Sequence, residues 1–174
     1  ILHPIPGGAT ARPFITHHHA IDSEFYLRIA PELYLKRLVI GGLERVYEIG
    51  RIFRNEGIST RHNPEFTMLE LYAAHVDYHW MMDFSEQLLK TIVKRVSRSP
   101  QVPFGDFTID FSQPFERISM HDAIVKYAEI PAEELTPATI DKTIKKYGVK
   151  LDDMSVSYGF KLFEVFDQLV ESQL

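Results

Sequence analysis

The chain has 174 residues, with 45% hydrophobic, 12% aromatic and 25% charged side chains, which is typical of a globular protein with a real hydrophobic core. It has no apolar run near the ~18–20 residues of a membrane helix, no recognisable signal peptide, and no cysteine for disulfides or cysteine-based zinc sites. The net charge of −5 argues against a protein that binds nucleic acid over its whole surface.

The first part of the chain is predicted to contain two strands and a helix. Residues 14–17 and 25–29 have the aromatic and β-branched content of strands. A helix is predicted after Pro31, because proline suits a first turn, and it ends at the glycine pair that begins with Gly41.

A long hairpin is predicted next. Residues 45–49 and 52–54 are predicted to form one strand broken near Gly50, and residues 66–73 form the returning strand. The connecting loop, 55–64, has about ten residues where hairpins usually have 2–5. Long loops between ordered strands are commonly functional, so the sequence indicates a site here.

The second half is predicted to be mainly helical. Apolar residues repeat every three to four positions over 80–96, which indicates an amphipathic helix. The remaining predictions are a strand pair at 107–111 and 115–118, a helix capped by Ser119, and helical segments at about 137–147 and 159–173.

Separate helices and antiparallel strands predict an α+β fold. The alternating pattern of a parallel sheet is absent, as are the glycine-rich phosphate-binding motifs that accompany it. Residues 1–100 hold 12 basic and 11 acidic side chains, whereas residues 101–174 hold 7 and 13. If RNA is a partner, it is therefore expected to meet the first part of the chain, or a domain outside it.

Side chains with recognisable chemistry cluster on the predicted hairpin. Arg54 and Glu56 lie two residues apart near a strand end and are expected to share a face. Met68, Glu70 and Tyr72 share one face of the returning strand. An arginine fork suits a phosphate, and an inward carboxylate suits an ammonium or an exocyclic amine. Spacing alone equally allows exposed ion pairs, each worth at most ~1 kcal/mol.

Several runs of sequence resemble a known family. Residues 53–57 (FRNEG), 61–67 (RHNPEFT) and 69–72 (LELY) resemble motif 2 of the class II aminoacyl-tRNA synthetases. Residues 7–14 (GGATARPF) and 26–33 (YLRIAPEL) look like the lysyl branch of that class, in its bacterial form. The resemblance is close over the first half of the chain and looser but collinear to the end.

The resemblance implies the antiparallel sheet of the class II catalytic core with flanking helices, in incomplete form. Residues 1–174 would be part of the catalytic domain, with motif 2 at about 45–73 and a helical, acidic segment at about 80–174. Motif 1, motif 3, the anticodon-binding domain, the Mg²⁺ ligands and another lysine-contacting glutamate are expected outside these residues. The 174 residues alone are therefore expected to be inactive.

The resemblance also implies an ATP site. Arg54 would be the catalytic residue, holding the α-phosphate of ATP and offsetting the charge that builds during attack. Glu56 would accept a hydrogen bond from the adenine amino group, and Phe66 would stack under the adenine ring. His62 and Asn63 would reach from the loop toward the phosphates and the adenine.

A lysine site is implied beside the ATP site. Glu70 and Tyr72 would bind the ε-ammonium of the substrate, and Glu32 would lie near its α-amino group. Arg54 would hold the lysine carboxylate. The backbone at Gly8 would approach the substrate closely, which the missing side chain permits.

The implied reaction is the ligation of L-lysine to the acceptor end of tRNA(Lys). The lysine carboxylate attacks the α-phosphate of ATP, giving lysyl-adenylate and pyrophosphate, and lysine then passes to the 3′ end of the tRNA. Positioning and electrostatics would replace a protein nucleophile. The resemblance further implies Mg²⁺ with the ATP, a homodimer in the full-length protein, a cytoplasmic location and no membrane partner.

Two alternatives remain open. A paralogous enzyme attaches a lysine-type amino acid to a protein lysine in place of tRNA, although residues 7–14 and 26–33 favour the tRNA enzyme. A synthetase-like binding module without catalysis is the other alternative, against which stands the intact motif 2.

Two further groups of residues are predicted to be structural. His17, His18 and His19 fall in a strand, where neighbours point to opposite faces, so no metal site is predicted there. The aromatic group that begins with Tyr78 and ends with Trp80 is predicted to pack within the protein rather than stack on bases.

Overall fold

A computed structural model describes all 174 residues, which form two compact units, Ile1–Leu88 and Leu89–Leu174. We call them the N-terminal unit and the C-terminal unit. Each unit combines helical segments with antiparallel strands, so the predicted α+β class is confirmed. None of the helices has the length and apolar character needed to cross a membrane.

A three-stranded antiparallel sheet begins the N-terminal unit, and its middle strand comes last in the sequence. The outer two strands each pair with that middle strand and not with each other. In sheet order the strands are β1 (Leu2–His3), β3 (Ser23–Leu27) and β2 (Ile15–His18).

The strand predicted at 14–17 is confirmed to within one residue, whereas the strand predicted at 25–29 lies two residues earlier. Arg28 and Ile29 leave the sheet and are buried in the segment that leads to helix α1 (Glu32–Ile40). The β-branched side chain of Ile29 therefore reflects burial rather than strand pairing.

Helix α1 begins and ends close to the predicted positions. Pro31 is its N-cap residue, and Gly41 is its C-cap residue. Gly42 adopts a φ of 100°, a conformation that favours glycine, and so turns the chain toward the next strand.

Strands β4 (Arg45–Phe53) and β5 (Glu65–Ala73) form an antiparallel hairpin in unbroken register. The predicted break near Gly50 is wrong, because Gly50 pairs with Met68 inside a continuous strand. A Cβ at Gly50 would overlap the guanidinium of Arg28, so the glycine accommodates a close approach and not a bend.

Helix α2 (Tyr78–Val96) begins two residues before its predicted start. Asp77 accepts a hydrogen bond from the backbone N–H of Trp80 at 3.0 Å, which satisfies one donor of the first turn. Trp80 stacks on Phe84 at 5.2 Å between ring centroids, as expected for a packing role.

The C-terminal unit begins with a short hairpin of strands β6 (Gln101–Phe104) and β7 (Phe107–Asp110). The predicted pairing of 107–111 with 115–118 is wrong, because β7 pairs with the preceding strand instead. A two-residue turn with Gly105 at a φ of 57° closes that hairpin, and a glycine at this position suits a tight turn.

The core of the C-terminal unit lies among three helices. Ser119 caps α3 as predicted, accepting a hydrogen bond from the backbone N–H of Asp122 at 3.0 Å. The helical segments predicted at 137–147 and 159–173 are confirmed in shorter form. The helices are α3 (Met120–Tyr127), α4 (Ile140–Tyr147) and α5 (Tyr158–Leu169), and their fully buried residues include Ile124, Ile140, Ile144 and Val165.

Candidate functional site

The β4–β5 hairpin presents one covered face and one exposed face. Glu48 lies directly opposite Glu70 in the sheet, so both side chains project to the same face. This face is half-buried or buried along both strands. On the other face Tyr47 and Ile49 are 71% and 63% exposed. The predicted chemical residues of the hairpin therefore lie on its sheltered side.

A cavity of about 500 Å³ lies at the loop end of the hairpin. All five residues predicted for the ATP site line it, together with two residues that the sequence analysis did not single out. The lining residues are Arg54, Glu56, Gly57, Arg61, His62, Asn63 and Phe66.

Arg54 is held between the hairpin and the segment before α1. Its backbone N–H donates to the carbonyl of Pro64 at 2.8 Å, which extends the hairpin ladder by one bond. Its Nε donates to the carbonyl of Ile29 at 3.4 Å, and its guanidinium carbon lies 5.3 Å from the centre of the Phe66 ring. The guanidinium is thus oriented at the cavity wall, where it can meet an anion.

Glu56 is anchored through the backbone of Arg12. The N–H of Arg12 donates to Oε1 of Glu56 at 3.2 Å, and the carbonyl of Arg12 accepts from the N–H of Asn55 at 2.7 Å. A carboxylate has more acceptor sites than this one bond occupies. Glu56 can therefore accept a further hydrogen bond, such as one from an exocyclic amine.

The loop over the cavity is organised around Ser59 and His62. Their backbones exchange hydrogen bonds at 3.1 and 3.3 Å, and the Ser59 hydroxyl lies 2.8 Å from Nδ1 of His62. The backbone N–H of Arg61 also donates to the Ser59 hydroxyl, at 3.2 Å. Ser59 thus orients the ring of His62, a function that its place in a polar loop did not reveal.

Glu70 and Tyr72 form a hydrogen-bonded pair on the sheltered face of β5. The Tyr72 hydroxyl donates to Oε2 of Glu70 at 3.1 Å. Burial raises the pKa of Tyr72 to about 12, with further contributions from the hydrogen bond to Glu70 and the negative charges of Glu70 and Glu32. The phenol is therefore a neutral donor at physiological pH, while the carboxylates supply negative charge.

Glu32 and Gly8 lie against each other beside this pair. A Cβ at Gly8, whose φ is 90°, would lie 3.0 Å from Cβ of Glu32, so the backbone there approaches closely. Glu32 accepts a hydrogen bond from the ammonium of Lys36 at 2.5 Å, and that ammonium lies 6.0 Å from the centre of the Tyr72 ring. Glu32 and the Tyr72 ring thus lie on either side of the Lys36 ammonium, which is half-exposed.

The predicted site residues fall into two sets. The ATP set shares one cavity, whereas the lysine set is connected by direct contacts and charge, and Arg54 lies in the cavity of the first set. Arg28 and Glu48, which were not predicted from the sequence, form an ion pair, and Glu48 lies opposite Glu70 in the hairpin. The position of the charged Arg28 between the apolar Leu27 and Ile29 was the signal that could have indicated a buried, paired guanidinium.

No group of three or more His, Asp or Glu side chains that could hold a metal ion occurs in these residues. His17 lies 3.2 Å from Asp22 in an exposed pair, and its ring contacts that of His19 at 5.1 Å between centroids.

The hairpin thus combines an arginine-bearing strand, a long ordered loop and an acid-bearing return strand, and the family of the chain follows from comparison with known proteins. Residues 1–165 match the family model described as "tRNA synthetases class II (D, K and N)". The chain belongs to this family, and its antiparallel sheets with flanking helices fit the family's α+β fold in incomplete form.

Among the curated relatives, proteins named lysine–tRNA ligase match the whole chain. The ligase of Actinobacillus pleuropneumoniae serotype 5b (strain L20) is 51% identical over 178 aligned residues, and that of Legionella pneumophila (strain Corby) is 51% identical over 181. The ligase of Bordetella bronchiseptica is 48% identical over 179. The match covers 100% of this chain and 35% of each relative, so the chain spans about a third of their length. The predicted resemblance to the lysyl branch is confirmed.

Proposed function

We propose that the protein containing this chain is an ATP-dependent lysine–tRNA ligase, and that this chain supplies most of its lysine pocket and part of its ATP site. The observation that carries the proposal is the pairing of a cavity lined by Arg54, Glu56 and Phe66 with an acidic, phenol-bearing patch on the same hairpin. An anion-binding guanidinium beside an ammonium-binding patch matches lysine, which carries a carboxylate at one end and an ammonium at the other.

Adenylate formation needs the lysine carboxylate to reach the α-phosphate of ATP. In the proposed arrangement Arg54 binds both anions, which reduces their repulsion and stabilises the charge that develops in the transition state. A bond forms between a carboxylate oxygen and the α-phosphorus, and the bond to the bridging oxygen breaks as pyrophosphate leaves. No side chain is required to act as nucleophile. Mg²⁺, which the family generally uses with ATP, would be held by residues other than these.

The nucleotide base is assigned to the loop end of the hairpin. Glu56 accepts from the adenine amino group, and the Phe66 ring packs under the base, as aromatic side chains do in nucleotide sites. His62 and Asn63 contact the phosphates and the base from the loop. The cavity of about 500 Å³ is in the range of small-molecule sites.

The lysine side chain is assigned to Glu70 and Tyr72. A carboxylate and a phenol in a partly buried setting discriminate strongly against substrates that lack the ammonium, because their own polar groups would be left unpaired. Glu32 takes the α-amino group, next to the open backbone at Gly8.

Amino-acid-dependent exchange of pyrophosphate into ATP tests the proposal. The protein expressed from its complete gene is expected to catalyse exchange with lysine and not with norleucine, which lacks the ε-ammonium and ends in a methyl group at the ε-carbon. Transfer of labelled lysine to tRNA(Lys), but not to a protein acceptor, separates the ligase from the protein-modifying alternative. The absence of both lysine-dependent exchange and lysine binding by calorimetry would favour a non-catalytic module and refute the proposal.

A further inference from the structure

Arg28 is the charged member of a buried run that precedes the first glutamate of the lysine site. Residues 28–31 are all buried, and Arg28 is only 9% exposed. The run connects strand β3 to Glu32, the first residue of α1. A buried guanidinium needs hydrogen-bond acceptors for its N–H groups. The acceptors of Arg28 therefore show which parts of the chain it connects.

Both the side chain and the backbone of Arg28 attach this run to strand β4. Its Nε donates to the carbonyl of Arg51 at 2.8 Å, and its Nη1 pairs with the carboxylate of Glu48. Its carbonyl accepts from the backbone N–H of Phe53 at 2.9 Å. The missing side chain of Gly50 provides the space in which the guanidinium lies.

The run contacts substrate-binding residues on both sides. The carbonyl of Ile29 accepts from Nε of Arg54 at 3.4 Å. A Cβ at Gly8 would lie 3.2 Å from Cβ of Ala30 and 3.0 Å from that of Glu32. Arg54, which is assigned to the substrate carboxylate, and Gly8, whose backbone approaches the substrate, therefore both touch the segment that Arg28 anchors. Glu32, which is assigned to the α-amino group, is the last residue of that segment.

The ion pair also separates two acidic side chains. Glu48 lies directly opposite Glu70, and like charges at that position in an antiparallel pair repel. Arg28 pairs with Glu48 and so offsets part of this repulsion.

We propose that Arg28 is a positioning residue: by anchoring residues 28–32 to strand β4, it sets the distance between Glu32 and the hairpin residues that bind the rest of the substrate. The inference rests on the proposed function, in which Glu32 binds the α-amino group of lysine. Glu70 and Tyr72 belong to the hairpin and keep their mutual spacing without Arg28. The backbone of Arg54 does so too, because its N–H bonds to the carbonyl of Pro64 at 2.8 Å, whereas Glu32 belongs to the anchored segment.

This division predicts which ligands depend on Arg28. Lysine uses both the hairpin and Glu32. The compound 6-aminohexanoate is lysine without its α-amino group, so it uses the hairpin residues alone. Loss of Arg28 should therefore weaken lysine much more than 6-aminohexanoate, a contrast that general unfolding of the site does not produce.

The experiment measures lysine-dependent ATP–pyrophosphate exchange by the protein expressed from its complete gene, with 6-aminohexanoate as a competitive inhibitor. Arg28→Gln is expected to raise the KM for lysine about tenfold, the loss expected when one charge-assisted contact is misplaced. The Ki for 6-aminohexanoate and the KM for ATP are expected to stay within about twofold, since the hairpin contacts remain. Arg28→Lys and Glu48→Gln should shift the lysine KM in the same direction by less.

Arg37→Gln is the matched control, because it removes the same charge from an exposed position on α1 and should leave all three constants unchanged. If Arg28→Gln does not fold, Arg28→Lys decides the question. Equal weakening of lysine and 6-aminohexanoate, or no change in either, would overturn the positioning role while leaving the proposed function intact. A wild-type protein without lysine-dependent exchange would instead refute the proposed function, and this inference with it.

Discussion

Arg51 and Arg54 are three residues apart and have opposite surroundings. Arg51 is exposed and lies 3.5 Å from Glu65 in a surface ion pair, whereas Arg54 lines the cavity and contacts the Phe66 ring. Surface pairs of the first kind contribute ~0–1 kcal/mol. The spacing of charged residues in the sequence allowed either arginine to form an exposed ion pair or to line a site. Only the direction of each side chain in the structure distinguishes the two.

The first prediction uses this pair of arginines. Arg54→Gln is expected to lower kcat/KM for lysine-dependent exchange by about 10²–10³-fold, because a donor to the developing charge is removed. Arg51→Gln is the matched control, and it should change the rate by less than about threefold because it lies away from the cavity. Steady-state exchange assays on the protein from the complete gene measure both. A similar loss in the two variants would contradict the role given to Arg54.

The second prediction concerns Tyr72 and alkaline pH. Its folded-state pKa of about 12 lies above the ordinary value of 10.0, so the neutral phenol stabilises the folded state. This contribution is fully present below about pH 10 and is lost as the pH rises toward about 12. The free energy of unfolding should therefore fall more steeply over this range in the wild type than in Tyr72→Phe.

Urea unfolding at a series of pH values from about 9 to about 12 measures this difference. Tyr47→Phe is the control, because Tyr47 is 71% exposed on the opposite face of the hairpin. Identical pH slopes for the wild type and Tyr72→Phe would show that the phenol is not perturbed by its neighbours.

At the scale of elements, local signals were reliable where a single residue decides the outcome. Ser119 as a helix cap and the glycine pair after α1 were both predicted from residue type alone, because capping and left-handed turns depend on one or two residues. The pairing partners of strands were not predicted reliably. Residues 107–111 were assigned to the wrong neighbour, since a strand pattern does not specify which strand completes its ladder.

The third prediction tests the cap of α3. The Ser119 hydroxyl accepts from the N–H of Asp122 at 3.0 Å and donates to its carboxylate at 2.7 Å. Ser119→Ala is expected to lower the free energy of unfolding by ~1 kcal/mol. Ser119→Asn, which keeps an acceptor at the cap, should lower it by less. Denaturant unfolding measures both, and equal losses would mean that the hydroxyl acts through something other than capping.

At the scale of the whole molecule, the site and the larger helical core belong to different units. The predicted site residues all lie within Ile1–Leu88, and the cluster of fully buried aliphatic residues around Ile124 and Val165 lies within Leu89–Leu174. In the N-terminal unit several large apolar side chains remain exposed, including Tyr47 and Ile49. Their exposure accords with a chain that spans about a third of its relatives' length.

The fourth prediction concerns the 174 residues as a separate polypeptide. Their site is expected to be insufficient for catalysis, since they cover only 35% of the related ligases and the rest of the nucleotide site is expected outside them. Lysine-dependent exchange should be undetectable with the isolated chain and clear with the product of the complete gene. Exchange by the isolated chain at a rate comparable with that of the complete protein would show that the site is self-sufficient.

The sequence by itself determined the family and the positions of most elements, and it predicted five residues that the structure brings together at one cavity. These depend on runs such as 53–57 and 61–67, in which residue identity and order carry the information. A motif records which residues meet a ligand because their spacing along two paired strands fixes a common face.

Only the tertiary structure revealed Arg28, Glu48 and the reason for Gly50. Arg28 lies about twenty positions before the other two, and the three meet because the run after β3 packs against β4. The glycine predicted to break a strand instead leaves room for a guanidinium from another element. Whether a missing side chain marks a bend or a close approach depends on what occupies the space beside it, and that is decided by packing between elements rather than by local sequence.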